Sequence, residues 1–163
     1  MSEPYEETLN GETLFRSAPG KAHELLVGRL HQWVAGCLAP NSTLEVLPPR
    51  TALDLGETGH LQPDLCVIRR APGASKEDST LYLVAEVLFP GDHHADTVLK
   101  KQVWADLRLP RLWMVDPRYL NVEVYASTEF GFTLLDILAN RHPLTDPCLP
   151  GLSRSMNELF EGV

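Results

Sequence analysis

Leu81-Tyr82-Leu83-Val84-Ala85-Glu86-Val87-Leu88-Phe89 is the most apolar stretch of the chain, and one carboxylate, Glu86, interrupts it. A run that is apolar on both faces reads as a strand inside a sheet covered on both sides. A bare charge buried in such a strand costs several kcal/mol, so Glu86 must be paired, protonated or bound to a cation. A second acid, Asp64 of Pro63-Asp64, stands at the mouth of another apolar run, Leu65-Cys66-Val67-Ile68. The two strands, about Asp64–Arg69 and Leu81–Leu88, are joined by the polar, Gly- and Pro-containing loop Ala71–Ser79. A hairpin centred near Ser75 sets Ile68 opposite Tyr82, Cys66 opposite Val84 and Asp64 opposite Glu86. Side chains directly opposite share a face, about 4.5–5.5 Å apart at Cβ. A slip of one residue would send the two acids to opposite faces.

Two carboxylates brought together in a partly dry place repel, and one pKa rises sharply unless a cation intervenes. Mg²⁺ (or Mn²⁺) suits such a pair, because it accepts one or two carboxylates and fills its remaining positions with water and phosphate oxygens. The nearest cations in sequence are Lys100 and Lys101, on the helix leaving this strand. Asp96 and Lys100 stand four residues apart, on one helix line with Val103 and Trp104. The plainer alternatives are an inert, solvent-exposed pair of acids and an Asp96–Lys100 ion pair on a helix surface.

The rest of the chain supplies the frame. Tyr5–Arg16 reads as a hairpin turned by Asn10-Gly11. Ser17-Ala18-Pro19-Gly20 opens a helix with an apolar stripe of Ala22, Leu25, Leu26, Leu30, Trp33, Val34, Cys37 and Leu38, ended by Pro40-Asn41. Residues 43–55 hold short extended pieces broken by Pro48-Pro49. After Phe89-Pro90-Gly91, Asp92 is a candidate N-cap for a helix to about Leu107, with Ala95, Val98, Leu99, Gln102, Val103 and Leu107 near one side. Pro110 ends that helix, Leu112-Trp113-Met114-Val115 reads as a buried strand, and Val122–Tyr125 alternates as a strand. The tail from Leu149 to Phe160 docks on the body. A helix between strands 81–88 and 112–116 implies a right-handed crossover and a parallel pair. The expected fold is an α/β sandwich with a mixed sheet flanked by helices, in a single domain spanning 1–163.

Composition excludes several classes. At 163 residues the chain is long enough to bury a core without disulfides or structural metal. No stretch approaches the roughly 18 apolar residues of a membrane span, and the acidic start, Met1–Glu7, has no apolar signal segment. The 3 cysteines, Cys37, Cys66 and Cys148, read as buried free thiols of a cytoplasmic protein. The net charge is −8, and basic residues never run beyond adjacent pairs such as Arg69-Arg70. This argues against a protein that coats DNA by charge alone, but less against a metal-using enzyme. His93-His94 with Asp96 superficially suggests a transition-metal site, but neighbouring histidines on a helix diverge. Cys66, beside Asp64, reads as packing because no histidine is placed to activate it.

Several pieces in order, Pro63-Asp64, Glu86-Val87-Leu88, Asp96-x-x-x-Lys100 and Leu112-Trp113-Met114-Val115-Asp116, resemble the Uma2 family of the PD-(D/E)XK nuclease superfamily. Glu7-Thr8-Leu9-Asn10-Gly11-Glu12, His23 and Leu149-Pro150-Gly151-Leu152 extend the likeness over nearly the whole chain. The resemblance implies a PD-(D/E)XK nuclease-like (restriction endonuclease-like) fold and a Mg²⁺-dependent DNA endonuclease, often a homodimer. Asp64 and Glu86 would bind the metal, and Asp64, Glu86 and Lys100 would be the catalytic set. The superfamily lysine usually stands two residues after the glutamate, where this chain has Leu88; Lys100 takes its place from the following helix. Phe89 stands where the family has serine. Glu12 or Glu24 is a candidate further ligand, and His23 a candidate site residue. A catalytically silent binding or assembly protein on the same fold is the alternative.

Overall fold

A computed structural model describes residues 3–75, 78–89, 91 and 94–163. Its frame is a six-stranded sheet with the order β10-β9-β8-β7-β6-β3. Those strands are β3 (Leu44–Val46), β6 (Leu65–Arg69), β7 (Thr80–Val87), β8 (Arg111–Asp116), β9 (Asn121–Thr128) and β10 (Gly131–Ala139). β7 and β8 pair in parallel, as the intervening helix requires, and the other neighbours are antiparallel.

β7 is buried on both faces, so its side chains divide between two cores. Leu83, Ala85 and Val87 join one cluster, and Val84, with Leu88 just beyond the strand, joins the other. On the first face lies helix α1 (Lys21–Cys37), where Leu26, Val27, Leu30 and Val34 are buried. Leu25, expected in that stripe, is exposed and Val27 takes its place. The ribbon β11 (Pro143–Asp146) and β12 (Leu149–Ser155) and the short helix α3 (Met156–Leu159) close the same face. A capping box between Ser155 and Glu158 starts α3.

The opposite face is covered by a second sheet, β2-β1-β5-β4, and by helix α2 (Lys101–Asp106). That sheet comprises β1 (Tyr5–Leu9), β2 (Glu12–Arg16), β4 (Leu53–Asp54) and β5 (Gly59–Leu61). Asn10 and Gly11 both take positive φ, 50° and 82°, at the β1–β2 turn, the turn chemistry their dipeptide predicts. Leu9 and Leu61 of this sheet pack with Cys66 and Val84 of the large one.

Several expectations are corrected. Cys66 does face Val84, but the register shifts between Val67 and Ile68, so Ile68 faces Leu81 and Tyr82 is the extra residue of a β-bulge. The helix after β7 begins as a π-helical segment, Ala95–Lys100, before α2. Its inward line is Asp96, Lys100, Val103 and Trp104, while Val98 and Leu107, expected toward the core, are exposed. The cysteines are free, but only Cys66 is buried; Cys37 is half-buried and Cys148 exposed. The proposed N-cap Asp92, and His93 of the histidine pair, lie outside the described residues; His94 is exposed. No helix of the described residues is long and apolar enough to cross a membrane.

Candidate active site

The C-terminal end of β7 carries Glu86 into a cluster of buried charges between the large sheet, the β1–β2 hairpin and the π-helical segment. Glu7, Asp64, Glu86, Asp96, Arg16 and Lys100 are all buried. The Lys100 ammonium is the hub. It lies 2.9 Å from Glu86 Oε1 and donates to Oε2 at 2.9 Å. It also lies 3.1 Å from Glu7 Oε1 and 3.8 Å from Asp96 Oδ1. Arg16 locks the outer acids, donating to Asp96 Oδ1 at 2.7 Å and lying 3.5 Å from Glu7 Oε2. The Trp104 indole donates to Glu86 Oε1 at 3.2 Å. The Asp96–Lys100 pair is thus buried, so the helix-surface alternative does not hold.

Asp64 leads into β6 at the bend after Pro63, one step beyond the Leu65–Ala85 pair. Its Oδ2 accepts the Val87 amide at 2.9 Å and lies 3.1 Å from His23 Nε2 on α1. Its Oδ1 is buried and accepts no hydrogen bond; Arg50 Nη1 stands 3.6 Å away. Glu24 holds Arg50, whose Nη2 donates to both its oxygens at 2.9 and 3.1 Å. Glu12 is exposed on β2.

The two acids differ electrostatically. Burial, the largest influence, pushes the Glu86 carboxyl up to about 8; the Lys100 charge opposes it, and Asp96, Asp64 and Glu7 add to it. Burial also pushes Asp64 upward, but the His23 hydrogen bond and charge, the Lys100 charge and the Val87 amide outweigh it and hold Asp64 low. Asp96 is raised, by burial first. Burial would lower Lys100, yet the carboxylates of Glu86, Glu7 and Asp96 keep it raised, a fixed positive charge. Burial, then the Glu86 charge, pushes the Cys66 thiol up to about 12, so it is no nucleophile.

The profile of the Uma2 family, described as "Putative restriction endonuclease", matches residues 2–157. The chain belongs to the Uma2 family. The fold agrees with that membership. A crystal structure described as "a putative nuclease belonging to DUF820", from Anabaena variabilis ATCC 29413, superposes with a TM-score of 0.79. The two chains are 15% identical, and the likeness covers 98% of this chain and 91% of the other. No curated protein matches the chain. The Uma2 chain therefore has a nuclease-like mixed α/β fold.

Glu7, Arg16 and Arg50 escaped the sequence reading. Glu7 and Leu9 are inward on β1 while Glu6 and Thr8 are not, so period-two alternation was the available signal. Nothing in the sequence marked that face as buried, because what covers it is distant in the chain: Leu9 shares a cluster with Cys66 and Val84 of the large sheet and with Val103 and Trp104 of α2.

Proposed function

We propose that this Uma2 protein is a Mg²⁺- or Mn²⁺-dependent endonuclease that hydrolyses DNA phosphodiester bonds, with Asp64 and Glu86 as metal ligands and Lys100 as the catalytic cation. The observation that carries this reading is the buried Asp64 Oδ1, which accepts no hydrogen bond and stands at the strand end beside Glu86. The donor set fits a hard dication: carboxylate oxygens, with Asp64 held low and ready to coordinate. Among the described residues, no group of three or more His, Cys, Asp or Glu is placed to hold a metal ion, so water and substrate would complete the shell of an ion on Asp64 and Glu86. Two carboxylates are what Mg²⁺ uses when water and substrate complete its shell.

A dication bound there would polarise the phosphodiester and lower the pKa of an attacking water. The chain's own groups do the rest. The Val87 amide and His23 aim the Asp64 carboxylate. Trp104 orients Glu86. Lys100, held protonated by three acids, supplies fixed positive charge next to the ligand carboxylate, where charge builds up on the reacting phosphate. Two such centres in a homodimer would cut both strands of a duplex, and the free thiols suit a cytoplasmic protein.

One observation favours a second reading. Lys100 is fully buried and surrounded by acids, which is also how a purely structural ion cluster in a catalytically silent binding protein would look. Cleavage assays on single-stranded, double-stranded and branched DNA, beside RNA, separate the two. The enzyme reading expects Mg²⁺- or Mn²⁺-dependent cleavage that Asp64→Ala and Glu86→Ala abolish while the fold survives. Cleavage that persists in both variants would overturn the assignment.

A further inference from the structure

Lys100 lies behind the surface of the site, its side chain only 1% exposed and engaged by acids, so it acts on the reacting centre as a charge rather than as the group that grips the substrate. Among the described cations of the site, Arg50 lies nearest the surface, with 18% of its side chain exposed, although its Nη1 is itself covered. We propose that Arg50 is a phosphate-binding residue: its Nη1 donates to a non-bridging oxygen of a nucleic-acid phosphodiester lodged beside Asp64. This rests on the nuclease reading for its substrate, but its evidence is separate.

Three features build the subsite. Arg50 takes φ +56°, a left-handed conformation that costs a non-glycine residue about 1 kcal/mol or more. The chain holds it there by hydrogen bonds: Arg50 N–H donates to Pro63 O at 3.0 Å, next to Asp64, and Thr51 Oγ1 donates to Pro48 O at 2.7 Å. Second, Glu24 takes Nη2 with both oxygens, at 2.9 and 3.1 Å, which fixes the guanidinium plane. Third, Nη1 and Asp64 Oδ1 form an ion pair at 3.6 Å, and neither buried atom makes a hydrogen bond. Their charges compensate each other, but each atom keeps an unused hydrogen-bonding position, which is costly in a buried site. A dication on Oδ1 and a phosphate oxygen on Nη1 would satisfy both atoms at once. A guanidinium suits this task because its planar fork can serve a carboxylate on one side and a phosphate on the other, which an ammonium cannot.

The surroundings make the contact tighter with metal. Arg50 faces two carboxylates, Glu24 and Asp64, and the chain carries −8 overall, so phosphate binds more weakly at Arg50 until a dication offsets Asp64. The experiment compares wild type, Arg50→Ala and Arg50→Lys for binding of a short fluorescein-labelled DNA duplex in Ca²⁺, by anisotropy over a series of salt concentrations. Mn²⁺ uptake by calorimetry and thermal unfolding are measured on the same preparations. The expected result is Mn²⁺ uptake by Arg50→Ala no weaker than wild type, with the duplex Kd raised about tenfold to a hundredfold. The slope of log affinity against log salt becomes shallower by about one. Arg50→Lys recovers part of the affinity, and serves alone if Arg50→Ala fails to fold. Unchanged duplex affinity and slope in the variant would overturn the assignment while leaving the metal site standing. If wild type takes up no Mn²⁺, the nuclease reading fails instead, and the duplex titration repeated in EDTA decides Arg50: a deficit in the variant upholds an anion subsite, and equal binding removes it.

Discussion

Glu86 is tolerable in an apolar strand because Lys100 and Trp104 both donate to it. Breaking a buried ion pair by removing one partner typically costs about 3–5 kcal/mol, since the other charge is left uncompensated. Lys100→Met should therefore destabilise the fold by about that much once Glu86 is ionised, above about pH 8. Because burial raises Glu86 and Asp96 toward their protonated forms, the loss should shrink as pH falls; denaturant unfolding at two pH values checks both, and a loss independent of pH would contradict the picture. Glu86 also sets a pH dependence of its own. Its folded value is raised from 4.5 to about 8, so its contribution to stability is complete below its unfolded value and is lost as pH rises through about 8. A dication displaces that proton, so metal affinity should tighten with rising pH, by up to about tenfold per unit while Glu86 is protonated. The residues decided by local chemistry were legible in the sequence: Glu86 had to have a partner, and strand pairing supplied Asp64 while the helix line supplied Lys100. Glu7 and Arg50 were not, because nothing local told that β1 would be covered or that Arg50 would be turned back onto Pro63.

At the scale of elements, the small sheet is what seals the charge cluster, and its weakest tolerance is Gly59. That residue takes φ +127°, and a Cβ there would lie 2.1 Å from Thr8 O of the paired strand β1. Gly59→Ala should cost well over about 1 kcal/mol and, by pushing β5 from β1, loosen Glu7 from Lys100. Thermal unfolding together with the hydrogen-exchange rate of the Gln62 amide, which donates to Glu7 at 2.7 Å, checks this; an unchanged exchange rate would show that the strand contact does not position Glu7. The hairpin, α1, β6, β7 and β8 were legible from turn dipeptides and apolar runs. The β6–β7 register held only to Val67, since a bulge leaves no mark in a uniformly apolar run. β10 was missed because Leu134, Leu135 and Ile137 are exposed on an edge strand with a register break, so no inward-outward alternation was there to find. β11 and β12 were missed as a ribbon because a register shift breaks their pairing between Leu144 and Asp146, and the sequence does not announce that β12 packs on α1.

At the scale of the molecule, one sheet with a core on each face explains why β7 reads as uninterrupted apolar sequence and why its single charge stands out. The first core is built by α1 and the C-terminal ribbon, the second by the small sheet and α2; the acids collect where the second core meets the strand end. The architecture was legible because a crossover helix dictates the parallel pair. The second sheet was not, since its four strands come from three separate short stretches. The central claim is that this strand end binds a divalent ion through Asp64 and Glu86, and titration calorimetry with Mn²⁺ tests it most directly. The account predicts uptake by wild type that tightens as pH rises toward about 8 and is lost in Asp64→Asn and in Glu86→Gln with folding retained. No uptake by wild type, or uptake unchanged in both variants, would contradict it.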